Sequence, residues 1–128
     1  MTSNKKKTIL FVEDEKVVLD HYKKFLVRAG YEVFEAYDGD EGMKLAEEKR
    51  PDLIILDLLL PKKDGMQILR ELRAKPWARR MPVIIVSNLD SPKIIAEATE
   101  LGVYRYLVKS QWSIDDVVLK VGLEFTRH

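Results

Sequence analysis

Cysteine is absent from the 128-residue sequence. That excludes disulfides and thiolate chemistry, and it fits a reducing compartment, so a cytoplasmic location is expected. No charge sign dominates either: Lys and Arg number 22 against 21 for Asp and Glu. Bulk attraction to nucleic acid or to an anionic membrane is therefore missing, and neither is expected as a direct partner. Long apolar runs are missing as well. The opening "MTSNKKKT" is polar, and the "ILFV" after it is too brief for a signal-peptide core or a membrane span. There is no internal repeat and no low-complexity linker. What is present is one domain's length of chain, residues 1–128, with the 46% apolar share of an ordinary folded protein.

Short apolar runs alternate with amphipathic segments, and the pair recurs five times. "TILFV" (8–12) reads as a buried strand. A helix follows from Glu15 to Ala29, with Val18, Tyr22, Phe25, Leu26 and Ala29 at helical spacing and Gly30 as its stop. "YEVFEAY" (31–37) alternates most and reads as an edge strand. Asp38 and Glu41 then resemble a capping box for a helix ending before Pro51. "LIIL" (53–56) is the third run; its helix opens after Asp64-Gly65, carries Ile68, Leu69 and Leu72 on one face, and stops at Pro76. "PVIIV" (82–86) is the fourth, with Ser91-Pro92 starting a helix that reaches Leu101-Gly102. "YRYLV" (104–108) is the fifth. Ser113 caps the last helix, Val117, Val118, Val121 and Phe125 face the core, and Trp112 and Val117 sit at staple positions. Unbroken Val/Ile/Leu runs mean strands covered on both faces, hence a parallel sheet between helices. Five βα units with right-handed crossovers give an α/β, doubly wound, five-stranded parallel sheet flanked by five helices.

In such a sheet the functional crevice lies beyond the carboxyl ends of the strands. Glu13 and Asp14 follow the first run, Asp57 the third, Ser87 the fourth and Lys109 the fifth; Tyr37-Asp38 after the second offers nothing comparable. Carboxylates gathered at one place repel unless a cation joins them, and all-oxygen ligation suits Mg²⁺. An aspartate oxygen is an established nucleophile toward phosphorus. Lys109 and the metal would neutralise the oxygens of a transferring phosphoryl group, and Ser87 would donate to one of them. Asp57 is thus read as a residue to be phosphorylated.

At these residues the sequence resembles the receiver domains of bacterial two-component response regulators, the CheY-like family. The likeness runs from Thr8 to about Phe125, the expected core of a single receiver domain. It is carried by Glu13-Asp14, "LDLLLPKKDG" around Asp57, "IIVS" ending at Ser87 and "YRYLVK" ending at Lys109. The resemblance implies a flavodoxin-like strand order, 2-1-3-4-5. It also implies phosphoryl transfer to Asp57 from a histidine kinase or phosphotransfer protein. Mg²⁺ would be held by Asp14, Asp57 and the backbone carbonyl of Leu59, with Glu13 acting through water. Tyr106, together with Ser87, would be a switch residue driving a downstream protein target, with phosphorylation-dependent dimerisation left open. Such a domain is a signalling switch and not an enzyme in the turnover sense, although it catalyses its own phosphorylation and dephosphorylation.

Two positions depart from the family pattern. Ser110 stands where proline with a cis bond is usual, and Asn88 where a small residue usually follows the hydroxyl. A cis bond before serine costs roughly 2.5–4 kcal/mol, so Lys109–Ser110 is expected to be trans with Lys109 still reaching Asp57.

Plainer readings stand beside these. Asp57 alone would be a strand-end cap, Ser87 a turn residue, Lys109 a structural partner of Asp57, and Tyr106 ordinary strand packing. Trp77 reads as the cover of a helix end. His21, His128, Lys5-Lys6-Lys7 and Arg79-Arg80 read as solvated, the basic runs making no nucleic-acid site. Besides the phosphoacceptor, two other classes fit the layers. One is a degenerate receiver that only binds proteins. The other is a flavodoxin-like or hydrolase-like enzyme, disfavoured because no glycine-rich loop follows the first strand and Leu59 breaks any D-x-D around Asp57.

Overall fold

The central run Leu53–Leu56 forms a strand, β3, in which all four side chains are buried. In this computed structural model, which describes residues 5–127, the flanking strands line up beside it by the same logic. β1 (Thr8–Val12) and β4 (Val83–Ser87) are almost wholly buried, whereas β2 (Glu32–Ala36) and β5 (Arg105–Val108) are partly exposed. The sheet is parallel throughout and its order is β2-β1-β3-β4-β5, so the two partly exposed strands are its edges. His128 lies outside the described residues, as does the start of the polar N-terminal segment, residues 1–4.

Helices cover both faces. Alternate residues of each strand point to opposite sides. Ile9, Phe11, Ile55, Ile84 and Val86 pack with α1 (Lys16–Arg28) and α5 (Ile114–Arg127). Leu10, Val12, Ile54, Leu56 and Ile85 pack with α2 (Gly39–Lys49), α3 (Gly65–Ala74) and α4 (Pro92–Glu100). Two short 3-10 turns, Pro76–Ala78 and Lys109–Gln111, complete the connections.

The helix ends follow the sequence. Asp38 accepts from Glu41 N at 2.8 Å, while the Glu41 carboxylate reaches one residue past the cap to Tyr37 N at 2.7 Å. Asp64, Ser91 and Ser113 cap α3, α4 and α5 through the amides of Gln67, Ile94 and Asp116. Gly30 adopts a φ of 101° just beyond α1, the left-handed stop expected of it.

Two side-chain placements differ from the periodicity. Of the α1 stripe Val18, Tyr22, Phe25, Leu26 and Ala29, Tyr22 and Leu26 are buried and Val18 packs against the core, but Leu19 completes the buried seam and Ala29 is exposed. On α5 the polar Glu124 is buried beside Val117 and Val121, held by Arg105 of β5 and by Arg127 of its own last turn. Trp77 does sit at a helix end: the guanidinium of Arg50, the residue closing α2, stacks 4.0 Å from its ring centre.

Gly65 is fixed by contact. α3 starts hard against the end of β3, and a Cβ on Gly65 would lie 2.4 Å from the Asp57 carbonyl oxygen and 2.6 Å from Leu58 Cα. Gly122, inside α5, would meet nothing nearer than the Tyr31 hydroxyl at 3.7 Å. Gly65→Ala should therefore destabilise by about 1–3 kcal/mol, because backbone has to give way. Gly122→Ala should stabilise by roughly 0.5–1 kcal/mol through helix propensity. Urea unfolding of the two variants checks the contrast, and equal shifts would contradict it.

Candidate functional site

The parallel register brings the strand ends together. Val12 pairs with Leu56, so Glu13 and Asp57, one residue on, emerge side by side. Ser87 closes β4 opposite Val108 of β5, and Lys109 follows at once. Glu13, Asp57 and Ser87 are buried; Asp14 and Asn88 are exposed.

Asp57 is held on both oxygens. The Ser87 hydroxyl donates to Oδ1 at 2.7 Å, and the Leu59 amide donates to the same atom at 3.1 Å. The Lys109 ammonium donates to Oδ2 at 2.9 Å and to Glu13 Oε1 at 2.5 Å. The other Glu13 oxygen accepts from the Glu15 amide at 2.9 Å. Burial lifts the Glu13 carboxyl above its ordinary range, and Lys109 pulls against that. For Lys109 burial favours loss of the proton, but two facing carboxylates outweigh it and hold the ammonium above its usual pKa. The lysine is charged. The Lys109–Ser110 peptide is trans, as expected, and the ammonium is aimed at Asp57.

Each residue singled out at a strand end is therefore in one place, with one qualification. Tyr106 lies on β5 and packs against the cluster beneath α3 and α4, and its hydroxyl donates to the Leu89 carbonyl in the loop after β4. It does not reach the carboxylates. Sequence reasoning missed one contact on the rim. The Asn88 side chain accepts from the Ser110 amide at 3.0 Å, so the two residues that depart from the family pattern touch each other.

Oxygens of Glu13, Asp14 and Asp57 all lie within 4.8 Å of one another. Such hard, anionic donors fit a divalent cation of the Mg²⁺ kind. Asp14 is the exposed member, and among the described residues no protein donor occupies its carboxylate, whereas both Glu13 oxygens are engaged.

The response regulator receiver domain family matches residues 9–121, which takes in every residue of this cluster and, except for Thr8, the five strands. The chain belongs to that family. Among solved structures, it is similar to the receiver domain of the Francisella response regulator 1452. The identity is 30%, with 94% of this chain and 98% of that one covered and a TM-score of 0.85. It is also similar to a CheY-like receiver domain from Methanospirillum hungatei, at 26% identity, 96% coverage of both chains and a TM-score of 0.89. A third similar structure is the Mn(2+)-bound form of the response regulator Rcp1. There the identity is 31%, with 92% and 91% covered and a TM-score of 0.76. The protein is thus a CheY-like receiver domain of two-component signalling, a family of signalling switches.

The receiver's charge cluster makes a thermodynamic prediction. Two buried carboxylates face one ammonium, with Asp14 close beside them, so loss of the ammonium should hurt and loss of one carboxylate should not. With chelator present, Lys109→Met should destabilise by about 3 kcal/mol, the low end for a broken buried pair because carboxyls can take up protons. Asp57→Asn should unfold at the wild-type urea concentration or higher, since its amide oxygen still accepts from Ser87 and Leu59. A lower midpoint for Asp57→Asn than for Lys109→Met would refute this balance.

Proposed function

We propose that this receiver takes a phosphoryl group from a histidine kinase or phosphotransfer protein onto Asp57 and so changes a protein-binding face. The observation that carries the reading is the double grip on Asp57, a hydroxyl on one oxygen and an ammonium on the other, with two further carboxylates beside it. An Asp57 oxygen attacks phosphorus; the new O–P bond forms as the donor's P–N bond breaks, and the electron pair returns to the imidazole. The Ser87 hydroxyl leaves Oδ1 and donates to a phosphoryl oxygen. Lys109 slides from the carboxylates toward the phosphoryl group, which carries roughly −1.5 to −2 at neutral pH in place of the single charge of the carboxylate. Asp14, Asp57 and the Leu59 carbonyl would hold Mg²⁺, with Glu13 reaching it through water. When bound, the metal supplies Lewis-acid stabilisation of the phosphoryl oxygens. The Mn(2+)-bound state of Rcp1 supports a divalent cation in this family.

Movement of Ser87 frees space behind the loop after β4. Tyr106 fills it, giving up its bond to the Leu89 carbonyl, and the face of α4, β5 and α5 is reorganised for a downstream protein. The change is a shift between two states, no larger than the phosphoryl group's preference for one of them. The segment from Thr8 to about Phe125 acts as one receiver unit. Among the described residues no helix is long and apolar enough to cross a membrane, which accords with a cytoplasmic switch.

Two outcomes test this. With acetyl phosphate and Mg²⁺, intact mass should rise by one phosphoryl group, and both chelator and Asp57→Asn should abolish the rise. A wild-type protein that gains no mass would instead be a degenerate receiver that works only by binding proteins. Secondly, Mg²⁺ should bind weakly without phosphate, since it keeps much of its hydration. Asp14→Ala should weaken binding roughly tenfold or more, and Glu13→Ala by less, because Glu13 acts through water. Titration followed by amide NMR at residues 13–15 and 57–60 reads both constants, and equal losses would sink the ranking.

A further inference from the structure

We propose that Asn88 is a positioning residue, a strap that makes the Ser87 and Lys109 arms of the site move together. Five links close a ring. Ser87 holds Asp57 Oδ1 at 2.7 Å, Asn88 is its chain neighbour, and Asn88 Oδ1 accepts from the Ser110 amide at 3.0 Å. Lys109 is the chain neighbour of Ser110 and holds Asp57 Oδ2 at 2.9 Å. The inference rests on the reading of Asp57 as phosphoacceptor.

The place of the bond is what gives it a role. The β4–β5 ladder ends at the pair Ser87 and Val108. Beyond it the two chains part, one toward α4 and the other into the 3-10 turn Lys109–Gln111. Asn88–Ser110 is the first cross-link past the ladder's end. The amide it satisfies belongs to the opening of that turn, where no intrahelical acceptor exists. A water molecule could serve a purely local cap at an exposed position. The Ser110 amide instead takes its acceptor, Asn88 Oδ1, from the loop that Ser87 anchors, so the direction of the Lys109 backbone is set by where Ser87 stands.

The Ser87 hydroxyl is also tied forward, since the Leu89 amide donates to Ser87 Oγ at 3.3 Å. Rotation of the hydroxyl toward a phosphoryl oxygen thus loosens the whole 87–89 segment, and the strap carries that displacement to Lys109. Both groups must reach the same phosphoryl group, one as hydrogen-bond donor and one as counter-charge. Coupling them means that neither has to find its position independently.

The test uses two replacements of nearly the same shape in the full chain. Asn88→Leu removes the acceptor; Asn88→Asp keeps it. Phosphorylation by acetyl phosphate at saturating Mg²⁺ should slow about tenfold in Asn88→Leu, less than the loss from a displacement of a full ångström. Asn88→Asp should recover most of the rate, and Mg²⁺ affinity should stay at the wild-type value in Asn88→Leu. In parallel, NMR of the Lys109 ammonium should move toward the free-lysine position in Asn88→Leu alone, and the Ser110 amide should exchange faster there. Equal rates for the two variants, a wild-type rate in Asn88→Leu, or an unmoved Lys109 signal overturns the strap. If the wild-type protein takes up no phosphoryl group, the functional reading fails, and the Lys109 signal still decides whether Asn88 positions it.

Discussion

Two buried carboxylates on neighbouring strands cannot stay side by side without a cation between them, and Lys109 is that cation. Its bonds to Glu13 and Asp57 fix three strand ends relative to one another. The parallel register makes this reachable: Val12 stands beside Leu56, so β1 and β3 finish at one level, and Leu56 stands beside Ile85, so β4 runs two residues further to Ser87. Lys109 then comes in from β5, across β4, on a long side chain that is itself largely buried. A shift of one residue in any strand would send a charge into an apolar layer instead. The sheet's register and the site's electrostatics are one constraint.

The loop beyond β3 is held by the same logic. Gly65 starts α3 against the Asp57 carbonyl, and its amide donates to the Leu58 carbonyl at 3.0 Å. Between them the chain turns through Lys62, whose φ of 68° is in the left-handed region. Such a φ is uncommon for a residue with a side chain and persists where the surroundings determine it. Here the surroundings are close at hand: Gly39 at the start of α2 leaves room for the Lys63 carbonyl, where a Cβ would lie at 1.9 Å. The segment carrying Asp57 and Leu59 is thus pressed between the starts of two helices.

How much of this was legible in the sequence depends on the range of the interaction. Strands buried on both faces read directly, because Val, Ile and Leu in unbroken runs have few other uses. Caps read directly too, since Asp64, Ser91 and Ser113 act within three residues of themselves. The members of the cluster at Asp57 were legible from their places after four strands, although the bonds among them were not. What failed needed more than local pattern. In α1, apolar residues are dense enough that several stripes at spacings of three and four overlap, and only packing selects Leu19, Tyr22 and Leu26. Glu124 was invisible because its partner Arg105 comes from another element, 19 residues earlier. Asn88 and Ser110 were each legible as departures from a pattern, yet their contact exists only once β4 and β5 are in register.

A near-zero net charge also concealed a polarity. All strands run one way and the helices that connect them run back, so helix starts gather at the Asp57 end and helix ends at the other. Each helix start carries partial positive charge and each end partial negative charge. Arg28, Lys49, Arg73 and Arg127 stand in the last turns of four of the five helices, where they offset those negative ends. Arg73 goes further and donates to the carbonyls of Ala78, Met81 and Leu101, pinning α3 to the approaches of β4 and β5. These four basic residues are thereby committed to the end remote from the site. At the other end acidic side chains outnumber the single buried ammonium, and the positive helix starts partly balance them. A group that brings more negative charge to Asp57 must displace interactions already made there. That is the condition under which charge added at one carboxylate moves neighbouring chain instead of merely joining it.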